Sequence, residues 1–190
     1  MAAWAMRTYK RTLEEFRRWA AAQGLTVAEG AWWATVPEAT GTRAGRPLRV
    51  VTFTTGSGKS KTTWLAAAVA LGAGGRLELE FKRQDFGTKV AEWFGAKEIT
   101  VGEAGFDARW FVRTNQPDFV QAALLPEMRV RIDEVAALGG RELKIEIKDG
   151  WARYVERGGV SAQACERIER ALPLLDELAV LAEVSAGERG

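Results

Sequence analysis

The chain has 190 residues, 47% of them hydrophobic and 27% charged, the balance of an ordinary globular protein. It holds no histidine and one cysteine, Cys165, which excludes Ser-His-Asp and Cys-His nucleophile systems, histidine-ligated zinc, cysteine-cluster metal sites and an internal disulfide. A formal net charge of +2 gives the chain as a whole no field that selects a partner.

Met6, Tyr9, Leu13, Phe16 and Ala20 stand three and four apart, which predicts an amphipathic helix from about Trp4 to Gln23 with Gly24 as its stop. Arg7, Lys10, Arg11, Glu14, Arg17 and Arg18 fall on its other face, which reads as a solvated outer surface. No secretory signal is legible there. The longest uncharged stretch, the fourteen residues from Thr62 to Gly75, is shorter than the ~20 apolar residues of a membrane-crossing helix. The expectation is a cytoplasmic chain without a membrane span, folded as one domain over residues 1–190, and the lone unpaired cysteine fits that compartment.

From Ala31 the pattern turns to strand. Ala31 to Val36 is short and aromatic, and Leu48 to Thr55 (LRVVTFTT) is rich in β-branched residues. Arg76 to Arg83 alternates, with Leu77, Leu79 and Phe81 on one face, the mark of an antiparallel sheet with one wet side. A short helix is expected over Gly87 to Phe94, then strands over Glu98 to Val101 and Phe106 to Arg113, where Phe106, Ala108, Trp110 and Val112 share a side.

Gln116-Pro117-Asp118 opens a helix, because proline suits the first helical position and an acid in the first turn complements the dipole. Pro126 kinks or divides that helix, and its second part buries Met128, Ile132 and Val135 before stopping at Gly139-Gly140. Asp149-Gly150 is a two-residue hairpin turn that pairs Ile145 with Tyr154, Ile147 with Ala152, Glu146 with Arg153 and Lys148 with Trp151. A last helix runs from the N-cap Ser161 to about Val184, bent at Pro173, with Cys165, Ile168, Leu172, Leu175, Ala179 and Ala182 as its core row. Cys165 on that row reads as a small buried hydrophobe.

The segment Gly56-Ser57-Gly58-Lys59-Ser60 has the ending of a phosphate-binding loop. In such a loop Gly56 and Gly58 would let backbone N–H groups reach phosphate oxygens, Lys59 would meet the terminal phosphates and Ser60 would hold magnesium. The position that should be the first glycine is Phe53, however, and no apolar strand ending in an acid comes after the segment. The favoured reading is a polar turn joining Leu48–Thr55 to Thr62–Leu71.

Residues 1–64 carry a net +6 and the rest −4, and the eight tryptophans suggest base stacking. Arg43 and Arg46 precede the strand at Leu48 while Lys59 and Lys61 come after it, so at ~3.4 Å per residue these basic pairs sit at opposite strand ends and form no groove. No strong nucleic-acid binding is expected. Trp64, Trp93 and Trp110 read as inward-facing. Trp32-Trp33 is different, because adjacent strand residues point to opposite faces and one must meet a helix, a loop or a partner. Asp85 and Asp107, the acids flanked most closely by apolar residues, read as salt-linking or turn-capping groups.

The stretches TTGSGKSKTTW (Thr54 to Trp64) and GFDARWFVRT (Gly105 to Thr114), with the helix bearing Leu125-Pro126 after them, resemble an uncharacterised bacterial family, a domain of unknown function with membrane-linked members. The resemblance covers roughly residues 45–135 and implies a hairpin turn at the Gly-Ser-Gly-Lys segment. The transmembrane segments usual in that family have no counterpart in this chain, so it reads as a soluble relative, and no catalytic residues carry over.

The sequence therefore predicts an α+β fold, a largely antiparallel sheet of six to eight strands packed by N-terminal, central and C-terminal helices. The function it favours is a non-enzymatic binding or structural module, with Trp32 and Trp33 as the interface to a protein partner or a second copy and with no cofactor or metal. A nucleotide-binding protein using Gly56, Gly58, Lys59 and Ser60 is the alternative, and a weak nucleic-acid or anionic-surface binder is the weaker one.

Overall fold

The computed structural model describes residues 2–28, 37–72, 76–84, 97–139 and 142–187. Within them the chain runs α1 (Ala2–Ala22), β1 (Thr26–Val27), β2 (Glu38–Arg43), β3 (Arg46–Thr55), β4 (Thr62–Ala70), β5 (Leu79–Arg83), β6 (Lys97–Ile99), α2 (Ala104–Arg109), β7 (Trp110–Thr114), α3 (Pro117–Ala123), α4 (Pro126–Leu138), β8 (Leu143–Lys148), β9 (Trp151–Arg157) and α5 (Ala162–Gly187). The described strands form one antiparallel sheet in the order β1-β2-β3-β4-β9-β8-β5-β7-β6. The α+β class is as expected, with nine strands in place of six to eight.

One face of the sheet carries the core. Leu48 and Val50 of β3, Leu65, Ala67 and Val69 of β4, Phe81 of β5, Ile145 of β8 and Tyr154 of β9 share one buried cluster with residues from all five helices. Because strand side chains alternate, the intervening positions belong to the opposite face. In the middle of β4 that face is closed too: Ala66 and Ala68 are buried like their neighbours. Ring contacts knit the far side of the core, where Phe81 meets Phe106 and Trp110 edge-on.

Several elements obey their local chemistry. The β8–β9 register pairs Ile145 with Tyr154, Glu146 with Arg153, Ile147 with Ala152 and Lys148 with Trp151, around Asp149 and Gly150 at φ 52° and 80°. A second two-residue turn, Ala44-Gly45 at φ 48° and 78°, links β2 to β3. Ser161 caps α5 by accepting the Ala164 N–H at 3.1 Å. Pro126 starts α4 and so separates it from α3.

Three expectations are corrected. Residues 104–109 form helix α2 in place of a strand from Phe106, because the Glu103 carboxylate accepts the Phe106 N–H and Asp107 accepts the N–H groups of Val101 and Gly102. Ala108 is consequently exposed while Phe106 is fully buried. Trp64 is half-buried on the face opposite Leu65, and its indole N–H donates to Thr55 Oγ1 at 2.7 Å; it is not a core residue. Glu146, expected on a wet face, is 2% exposed. The expected strand at Ala31–Val36, the helix at Gly87–Phe94, Trp93 and Asp85 lie outside the described residues.

Candidate functional site

A large concavity lies beside α3 and α4, the helices that Pro117 and Pro126 start. Pro117 occupies the first turn of α3, the helix ends after Ala123, and Pro126 redirects the chain. The last third of α5 passes opposite. Between them lies an open groove of about 1170 Å³. Phe119, Ala122 and Met128 line one side, and Val180, Leu181 and Val184 the other.

The α5 wall is unusual for a helix so deeply committed to the core. Leu178, Ala179 and Ala182 are buried, yet Val180 and Val184 are 50% and 52% exposed. They stand four apart, which puts them one above the other on the helix face turned into the groove. Apolar side chains left half in water at helical spacing, on a concave surface, mark a place where something else can be buried.

The charged residues lining the groove among the described residues are all acids: Asp118, Asp176 and Glu177. Asp176 Oδ2 accepts from Arg43 Nε at 2.7 Å, while its Oδ1 is buried without a hydrogen-bond partner. Glu177 pairs with Arg131 of α4. Asp118 lies in the first turn of α3, exposed to water. Asn115 braces the end of the groove by accepting the Glu78 N–H at 2.9 Å and donating to the Arg76 carbonyl at 2.8 Å.

The other strongly placed ionisable groups serve the fold. Arg167 of α5 donates two hydrogen bonds to Glu156, at 2.7 and 2.9 Å, and the Tyr154 hydroxyl donates to the same carboxylate at 3.0 Å. Burial, with the Glu156 charge behind it, pushes the Tyr154 hydroxyl far above its ordinary range. Asp133 accepts from Arg109 at 2.6 Å and from the Trp110 indole at 2.8 Å. Partial burial opposes its ionisation, and those donors outweigh the burial and hold the carboxyl below its usual value. Glu146 sits between Lys144 at 2.9 Å and Arg153 at 3.5 Å. Glu80, its partner across the β5–β8 ladder, has its carboxyl raised, chiefly by burial and further by the Glu146 charge. Among the described residues no group of three or more carboxylates or thiols is gathered to hold a metal ion.

The residues singled out from the sequence are dispersed. Gly56, Gly58, Lys59 and Ser60 are exposed in a turn that includes one 3₁₀ turn, Gly58–Ser60, and returns the chain antiparallel, with Thr55 opposite Thr62. Beyond Ser60 the chain enters strand β4, so the helix N-terminus that a phosphate-binding loop leads into is not there. Arg43, the last residue of β2, and Arg46, the first of β3, are paired with Asp176 and Glu183, each at 2.7 Å. Cys165 is buried, and burial pushes its thiol up to about 11. Trp32 and Trp33 lie outside the described residues. None of the described ones lines the groove. Its signal in the sequence was the pair Val180 and Val184, two apolar residues off the core row of α5.

No family model matches the chain, and no curated protein matches it. The resemblance over residues 45–135 is thus tied to no defined family. Among solved structures the fold is similar to that of the mycobacterial trehalose monomycolate transport factor A, TtfA, with a TM-score of 0.61 at 11% identity, over 90% of this chain and 93% of that one. Among the described residues no helix is long and apolar enough to cross a membrane.

Proposed function

We propose that this protein is a non-enzymatic binding module, that residues 1–190 work as one folding unit, and that the groove between α3 and α5 is its ligand seat. The observation that carries the reading is the half-exposed pair Val180 and Val184 on a helix whose other face is buried core. The disposition of charge supports it. The carboxylates of Glu156, Glu146 and Asp133 are each taken up by cations or ring donors of the fold, which leaves none of the three paired with a free nucleophile or base. A shared core drawing on all five helices supports the single unit. The similar structure is that of a protein named a transport factor, and at 11% identity the likeness is one of fold.

The test uses 1-anilinonaphthalene-8-sulfonate, a dye that brightens on apolar surfaces. Wild-type protein should enhance its fluorescence under native conditions, and a Val180→Asn, Val184→Asn double variant with an unchanged melting temperature should lose most of that enhancement. A native protein that leaves the dye dark, or a variant that brightens it equally, would remove the groove as a binding site.

A further inference from the structure

We infer that the occupant of the groove is a short amphipathic helix with a cationic flank, presented by a protein partner. The inference rests on the binding role proposed above and adds the class of ligand. Shape is the first argument. Val180 and Val184 stand one turn apart on α5, and Phe119 and Ala122 stand three apart on α3, so both walls offer apolar side chains at helical spacing. A helix laid between them would seat its own row of apolar side chains at three- and four-residue intervals. A compact small molecule is usually enclosed over most of its surface, whereas this wall leaves two valines half in water.

Charge is the second argument. Asp118, Asp176 and Glu177 line the groove and no lysine or arginine does so among the described residues. Asp176 has one oxygen on Arg43 and Glu177 is paired with Arg131, whereas Asp118 stands on the rim and has no ion-pair partner among the described residues. A lysine or arginine flanking the entering helix therefore meets Asp118 first, and an acidic flank is repelled. The chain's own α1 has the right charge but cannot be the occupant from a second copy, because Phe16 and Ala20 of its apolar row are already buried in its own core.

The experiment measures fluorescence anisotropy of two labelled synthetic peptides that share leucines at heptad spacing and differ in carrying lysines or glutamates at every other position. The lysine peptide should bind the full-length protein, weaken as salt rises, and bind at least about tenfold tighter than the glutamate peptide. Asp118→Lys, a change on the groove rim, should narrow or reverse that preference, and Val180→Asn with Val184→Asn, which removes the apolar pair without adding charge, should abolish binding of both peptides. Equal binding of the two peptides, or an Asp118→Lys variant that keeps the full preference, overturns the cationic-helix assignment. Failure of both peptides while the valine variants still remove dye fluorescence overturns the helix and leaves the groove as an apolar ligand site. Peptide binding that survives the valine substitutions overturns both readings.

Discussion

Glu156 shows what a single buried carboxylate does for this fold. It is 2% exposed on β9, and it accepts hydrogen bonds from the Arg167 side chain on α5 and from the Tyr154 hydroxyl. A buried ion pair replaced whole by apolar groups is often neutral, but removing one partner strands the other. Glu156→Ala should therefore destabilise the protein by ~3 kcal/mol, the low end of the usual cost because Arg167 keeps partial access to water, and chemical denaturation would show it. Glu80 has the opposite sign. Its carboxyl titrates above the ordinary value, chiefly through burial, so folding favours its protonated form. The associated stability is complete below the ordinary carboxyl range and is lost as pH rises through the raised value. Glu80→Gln should accordingly raise the melting temperature at neutral pH, by a small amount because the side chain is partly solvated, and the gain should vanish in acid. A gain that is the same at both pH values would show that charge is not its cause.

At the scale of elements, the β3–β4 turn is the clearest case for a purely structural role. Gly56 has φ +79°, and a Cβ there would lie 2.5 Å from the Ser60 carbonyl oxygen. Gly56→Ala should cost at least ~1–2 kcal/mol, while Lys59→Ala should change stability by less than ~0.5 kcal/mol. Magnesium-ATP at millimolar concentration should leave the wild-type melting temperature unmoved; a rise abolished by Lys59→Ala would instead reveal a nucleotide site. The elements that were legible in the sequence are those whose signals are local. Asp149-Gly150 fixes a register because only a few residues tolerate two consecutive positive φ angles, and Pro117 and Pro126 divide helices by chemistry that no tertiary contact overrides. Helix α2 was illegible for the converse reason. With six residues it is too short to display a 3.6-residue period, and Phe106, Ala108 and Trp110 imitate the alternation of a strand. Its start signal was a cap: Glu103 three residues before Phe106. Glu146 was misplaced because alternation assigns a face and says nothing of how deeply neighbouring long side chains bury it. The groove escaped because its walls, α3 and α5, are distant in sequence and meet only in the folded protein.

For the molecule as a whole, the strand order matters more than the strand count. Strands β1 to β4 form a meander in chain order, β5 pairs with β7 and β7 with β6, and β4 and β5 do not pair with each other. The β8–β9 hairpin lies between them, with β9 on β4 and β8 on β5. Arg157 pairs with Trp64 and Ile147 with Leu79, so the contacts that unite the sheet span much of the chain. A chain truncated after Gly139 should then show no cooperative unfolding transition, because β4 and β5 would each be left as an open edge; a sharp transition in that fragment would show that one half folds alone. The order of synthesis gives the same topology a kinetic meaning. Strands β4 and β5 leave the ribosome well before the hairpin that separates them, and until it arrives the Leu-Ala-Ala-Ala-Val run of β4 presents unpaired N–H and C=O groups beside apolar side chains. Long-range pairing of this kind places folding at the slow, millisecond-to-second end of the range for single domains. The nascent chain thus passes through an interval in which its middle strand can pair with the wrong neighbour, and the hairpin closes that interval when it inserts.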